Sequence, residues 1–143
     1  MTKALWFDMD GTIADLYGVE NWLPKLINSD PSPYADARPL VNMSRLAKNL
    51  RKAKSLGYTL NIVSWTSKNG TATYNAEVAK TKRAWLKRHL PSISWDTIAI
   101  VEYGTPKSTC GSGILFDDEQ PNRKEWGDNA YTPTEIFDVL KAL

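Results

Sequence analysis

The run Ala4-Leu5-Trp6-Phe7 is unbroken apolar chain that meets Asp8-Met9-Asp10-Gly11-Thr12 without transition. A short run with no polar alternation reads as a strand buried on both faces, and such strands belong to parallel sheets covered by helices. The two acids and Gly11 end it, so this first strand must stop at a polar rim, where glycine gives the chain a sharp turn.

Further along the chain, helical and strand patterns alternate. From Arg38 to Leu56 the apolar residues Met43, Leu46, Ala47, Leu50 and Ala53 are spaced three and four apart. Pro39 stands near the start and Gly57 just past the end, a pattern that predicts an amphipathic helix. Tyr58–Ser64 reads as a second strand. Residues 72–90 read as a second long helix, with Tyr74, Val78, Trp85 and His89 on one face and Pro91 beyond. Thr97–Glu102 and Gly113–Phe116 are strands three and four, and Asn129–Tyr131 is a short fifth. Thr132, Pro133 and Glu135 form a capping box for a last helix carrying Ile136, Phe137, Leu140 and Leu143. The link between Glu102 and Ile114 is short for a parallel crossover, which normally needs about a dozen residues, so a loop or one short turn is expected there.

Strands alternating with helices predict right-handed crossovers and a three-layer α/β/α sandwich around a parallel sheet. With 143 residues, the chain suits one domain, residues 1–143. Residues 13–37, with Pro24, Pro31 and Pro33, are too irregular for a crossover and too few for a second domain. They read as a small cap-like insertion after strand one, over one edge of the sheet.

Composition narrows the chemistry. One cysteine, Cys110, and one histidine, His89, rule out an internal disulfide and a His/Cys zinc cluster, so any metal must be held by oxygen. Lys plus Arg is 18 against 16 acids, a balance unlike that of a dedicated nucleic-acid binder. No segment approaches the roughly 20 apolar residues of a membrane span. The opening MTKALWFDMDG meets acids too early for a signal peptide, which implies a cytoplasmic protein.

Ligands of open parallel sheets bind outside the carboxyl ends of the strands. Those ends carry Asp8, Asp10, Gly11 and Thr12; then Ser64, Trp65 and Thr66; then Lys107; then Asp117, Asp118 and Glu119. Clustered acids repel one another, and a divalent cation relieves this. Oxygen ligands beside a phosphate suit Mg²⁺.

These residues resemble the haloacid dehalogenase superfamily of aspartate-nucleophile phosphatases. Asp8-Met9-Asp10-Gly11-Thr12, Ser64 after an apolar strand, Lys107, and Asp117-Asp118 after another look like its four motifs, in the right order. Lys82, Arg83, Trp85, Leu86 and the ending LFDDE are similar to its 5′(3′)-deoxyribonucleotidase group and small phage-encoded members. The resemblance implies a parallel Rossmann-like sheet and a Mg²⁺-dependent phosphomonoester hydrolase acting on (deoxy)nucleoside monophosphates. It implies Asp8 as nucleophile, Asp10 as acid and base, and Lys107 as the neutralising cation. Ser64, Gly11, Thr12, Trp65 and Lys107 would meet the substrate and its phosphate. Asp8, Asp10 through its carbonyl, Asp117 and Asp118 would serve the metal.

Duller readings stand beside these. Thr66 or Ser67 competes with Ser64 for the phosphate, Lys68 and Lys124 compete with Lys107, and either Asp117 or Asp118 could touch the metal. His89 reads as a packing residue and Cys110 as a tolerated loop thiol, Trp6 and Trp85 suit the core, and Trp22, Trp65 and Tyr17 are candidates to stack on a base. A short insertion leaves the site open, which admits a polynucleotide 3′-phosphatase. A phosphoacceptor domain is one non-hydrolytic rival, against which the order of the motifs argues, and a silent ligand-binding domain is another, against which Asp10 argues.

Overall fold

The computed structural model describes residues 2–143. In chain order these form β1 (Ala4–Phe7), β2 (Ala14–Asp15), α1 (Trp22–Ile27), α2 (Ser32–Asp36), β3 (Arg38–Pro39), α3 (Met43–Ser55), β4 (Thr59–Trp65), α4 (Ala72–His89), β5 (Thr97–Val101), β6 (Ile114–Phe116), α5 (Gln120–Trp126), β7 (Ala130–Tyr131) and α6 (Ile136–Lys141). The main sheet has the order β5-β4-β1-β6-β7 with every neighbouring pair parallel. The first strand is therefore the middle one, covered on both faces as its apolar run requires.

Alternation along β1 divides the interior. Leu5 and Phe7 face the larger core with Leu46 and Leu50 of α3, Trp85 and Leu86 of α4, and Ile136 and Leu140 of α6. Ala4 and Trp6 face the smaller core, where Trp126 of α5 and Cys110 close the other side. The result is the three-layer α/β/α sandwich that the alternation of strands and helices predicts. Met9 continues the Leu5 and Phe7 side into the larger core. Asp8, one residue earlier, falls on the opposite side.

Two local expectations are corrected. The helix expected from Arg38 begins only at Met43, where the Asn42 side chain accepts from the Arg45 N–H as N-cap. Arg38 and Pro39 instead pair antiparallel with Asp15 and Ala14, in a two-stranded ribbon at the base of the insertion. The insertion leaves from the central strand, lays α2 against α4 and shares a cavity with the rim residues Asp8, Asp10 and Trp65. The second correction is α5, which the sequence pattern hides. Its segment QPNRKEW has a single large apolar residue, and tertiary bonds hold it: Trp126 Nε1 donates to the Gly113 carbonyl at 2.9 Å, and Arg123 to the Asp117 carbonyl at 3.0 Å.

Phe7 anchors the larger core, stacked on Phe116 at 4.9 Å between ring centroids and edge-on to Trp95. Deleting a fully buried aromatic removes its transfer energy and leaves a void, so Phe7→Ala is expected to lower stability by about 3–5 kcal/mol. Urea denaturation followed by circular dichroism checks this.

Candidate active site

Strands β1 and β6 are neighbours, with Phe7 opposite Phe116 and the Asp8 N–H donating to the Phe116 carbonyl at 2.9 Å. The next residue of each strand, Asp8 and Asp117, thus lies at the same level although the two stand at opposite ends of the sequence. Lys107, on a short 3₁₀ turn after β5, reaches between them and donates to Asp8 Oδ1 at 2.8 Å and to Asp117 Oδ2 at 2.6 Å. Its side chain is 2% exposed. The two carboxylates hold its ammonium well above the usual lysine range against the cost of burial.

One ammonium does not balance the site. Asp8, Asp117 and Asp118 each place an oxygen within 4.8 Å of the others. Burial, with the neighbouring Asp8 charge behind it, pushes Asp117 up to about 6 and Asp118 up to about 8. Three hard oxygen donors with surplus negative charge fit a divalent cation such as Mg²⁺.

The turn after β1 brings Asp118 close. The Met9 carbonyl accepts from the N–H groups of Thr12, Ile13 and Ala14 at 2.9–3.1 Å. Gly11 has φ +81°, and a Cβ there would lie 2.3 Å from Asp118 Oδ2, so both backbone and space demand glycine. Gly11 therefore supports the acid and does not line the cavity. Thr12, expected at the phosphate, is fully buried. Its hydroxyl lies 3.0 Å from Asp8 Oδ2 and 3.3 Å from Asp118 Oδ1 and accepts from the Asp118 N–H at 3.2 Å. With a single proton to give, it favours the nearer Asp8.

Ser64 is also displaced from its expected place. Strand β4 runs one residue further, to Trp65, and Ser64 is wholly buried, its Oγ accepting from Lys82 at 2.7 Å. Trp65, Thr66 and Ser67 line the cavity instead. Lys68 also lines it with its ammonium over the Tyr103 ring, and Lys107 alone among the candidate lysines touches Asp8. His89 packs at a tilt against Trp85, 4.4 Å between centroids, where burial lowers its pKa, and Cys110 packs beside the smaller core, in keeping with the duller reading of each.

Two site residues escape the motif pattern. Asn122 of α5 donates to Asp117 Oδ2 at 3.3 Å. Lys82 of α4 donates to Asp10 Oδ2 at 2.8 Å with its side chain 1% exposed. A signal for Lys82 exists: positions 74, 78, 82 and 85 share a helix face, and a lysine there sits in an apolar stripe. Burial outweighs this contact, and Asp10 holds its proton more tightly than an ordinary carboxyl.

A cavity of about 510 Å³ opens over these groups. Two aromatic pairs line it: Tyr17 on Trp22 from the insertion, 5.0 Å between centroids, and Trp65 on Tyr103 from the ends of β4 and β5, 4.8 Å apart. Leu23 and Ile27 of α1 add an apolar wall.

Neither a family model nor a curated protein sequence matches this chain. In solved structures its fold resembles the D,D-heptose 1,7-bisphosphate phosphatase from Burkholderia thailandensis, with TM-score 0.58 and 10% identity over 97% of this chain and 99% of that one. The chain has the haloacid dehalogenase-like fold, a Rossmann-like α/β/α sandwich. At that identity the likeness speaks for the fold alone.

The raised carboxyls make a prediction about stability. Asp117 and Asp118 bind protons more tightly folded than unfolded, so their contribution is full below the ordinary value of 3.8 and is lost as pH rises toward about 6 and about 8. In chelator, the melting temperature is expected to fall between pH 5 and 8, and Mg²⁺ to raise it more at pH 8 than at pH 5. Asp118→Asn should flatten the slope. Scanning calorimetry across this range checks both.

Proposed function

We propose that this chain is a divalent-metal-dependent phosphomonoester hydrolase whose nucleophile is Asp8 and whose favoured substrates are (deoxy)nucleoside monophosphates. The observation that carries the reading is the meeting of Asp8 and Asp117 on one buried ammonium, with Asp118 beside them and Asp10 turned to a separate lysine. The phosphatase activity named for the structural neighbour supports the general class.

In this reading one Asp8 oxygen attacks phosphorus, and the bond to the ester oxygen breaks with its electron pair going to that oxygen. Protonated Asp10, which lines the cavity, gives the leaving alkoxide its proton. Asp10 then takes a proton from water, whose oxygen attacks the aspartyl-phosphate and frees Asp8 and inorganic phosphate. Lys107 offsets negative charge on Asp8 and the phosphoryl group. Asp8, Asp117 and Asp118 would hold Mg²⁺, with the Asp10 carbonyl as a further ligand, and the bound ion would neutralise and orient the phosphoryl oxygens. The Thr66 and Ser67 segment would bind the phosphoryl group in place of Ser64.

The insertion, residues 13–37, serves in this reading as a small cap that selects the leaving group. Its Tyr17 and Trp22, with Trp65 and Tyr103, offer flat apolar surface to a nucleobase. A polynucleotide end is the weaker substrate reading, because Arg51 is engaged with Ser92, Lys54 with Ser94 and Asp96, and neither lines the cavity.

Release of inorganic phosphate from nucleotides, sugar phosphates and phosphorylated oligonucleotides tests this. Native chain is expected to require Mg²⁺ and to prefer nucleotides, and Asp8→Asn to lose a factor of roughly 10³ or more in kcat. Equal turnover by the variant would remove the proposed nucleophile.

A further inference from the structure

The Lys82 ammonium has three N–H bonds and spends each on a different acceptor: Asp10 Oδ2 at 2.8 Å, Ser64 Oγ at 2.7 Å and the Trp65 carbonyl at 2.7 Å. The ring of Tyr34, from the insertion, faces it 4.9 Å away. A buried ammonium with every donor satisfied cannot swing, because moving it would leave charge and acceptors unpaired in the interior. Lys82 thus ties three segments to one point: the turn after β1, the end of β4 and the insertion.

The effect on Asp10 is directional. Its Oδ2 is fixed, whereas among the described residues no side-chain or backbone donor bonds its Oδ1, and the residue lines the cavity. Asp10 is also absent from the set of carboxylates whose oxygens converge within 4.8 Å, although it is two residues from Asp8. Without Lys82, no side-chain bond among the described residues would keep an Asp10 oxygen from turning toward the same cation as a fourth carboxylate.

We propose that Lys82 is the positioning residue of this site: it clamps one oxygen of Asp10, holds that carboxyl apart from Asp8, Asp117 and Asp118, and leaves Oδ1 facing the leaving-group oxygen. The proposal rests on the phosphomonoesterase reading. In the step it serves, the ester P–O bond breaks as the Asp8 oxygen to phosphorus bond forms, and the proton on Asp10 Oδ1 passes to the departing oxygen. Lys82 keeps all its protons throughout.

Leaving groups of different quality separate positioning from mere support. An alkyl phosphate needs the proton from Asp10 in its first step, whereas p-nitrophenyl phosphate expels a stable phenolate without it. Rapid-quench measurement of the first turnover is made on native chain, Lys82→Met, Lys82→Gln and Asp10→Asn, all with Mg²⁺. The first step with the alkyl ester is expected to slow by roughly 10²-fold or more in both Lys82 variants, while the nitrophenolate burst changes by no more than about threefold. Asp10→Asn should show the same pattern. Equal loss on both esters, or no loss on either, would overturn the proposal. So would failure of both Lys82 variants to fold, judged by circular dichroism, since Lys82 would then be a core residue only. A native chain that hydrolyses neither ester with Mg²⁺ sinks the phosphomonoesterase reading itself, a result distinct from any of these.

Discussion

An excess of buried negative charge at the carboxyl ends of the central strands organises this molecule. Three carboxylates converge where one ammonium cannot neutralise them. In a medium of low dielectric such a cluster is tolerated only when positive charge or protons fill it, and both responses are visible: Lys107 is held between Asp8 and Asp117, and the Asp117 and Asp118 carboxyls are driven toward the proton-bound form. The order of the strands makes the cluster unavoidable. With β1 and β6 adjacent and in register, residues 8 and 117 have nowhere else to go.

The two buried lysines divide the acids between them. Lys107, coming over the smaller core, takes Asp8 and Asp117. Lys82, coming from α4 on the larger-core side, takes Asp10. Two residues apart on one strand end, Asp8 and Asp10 thus acquire different environments, which is the physical condition for giving two carboxyls different protonation states at one pH. Glu125 of α5 supports this indirectly, accepting from the Ser108 N–H at 3.0 Å and so steadying the turn that presents Lys107.

Much of this was legible in the residues, because period and punctuation coincide there. An apolar run stopping at paired acids predicted β1 and its rim, and Pro133 between Thr132 and Glu135 marked the last helix, where the capping box forms. The features that stayed hidden depend on tertiary placement. α5 has no apolar period and exists because Trp126 and Arg123 find carbonyls elsewhere. Thr12 and Ser64 carry the right chemistry at the right strand ends, but the Met9-centred turn folds one hydroxyl inward and the longer β4 buries the other. Lys82 stands among the residues that carry the nucleotidase resemblance, yet its place in the site emerges only from the helix face it occupies.

Helix α1 buries none of its six residues, and Leu23 and Ile27 stand 49% and 73% exposed. Those two side chains therefore add little to folding free energy while forming one wall of the cavity, whereas Trp22 and Leu26 pack against buried neighbours. Substitution at these outward positions costs the molecule little robustness, so the wall of the cavity can change while the rim of the central strand stays untouched. What shapes the cavity wall and what holds the sheet together thus lie on separate stretches of the chain.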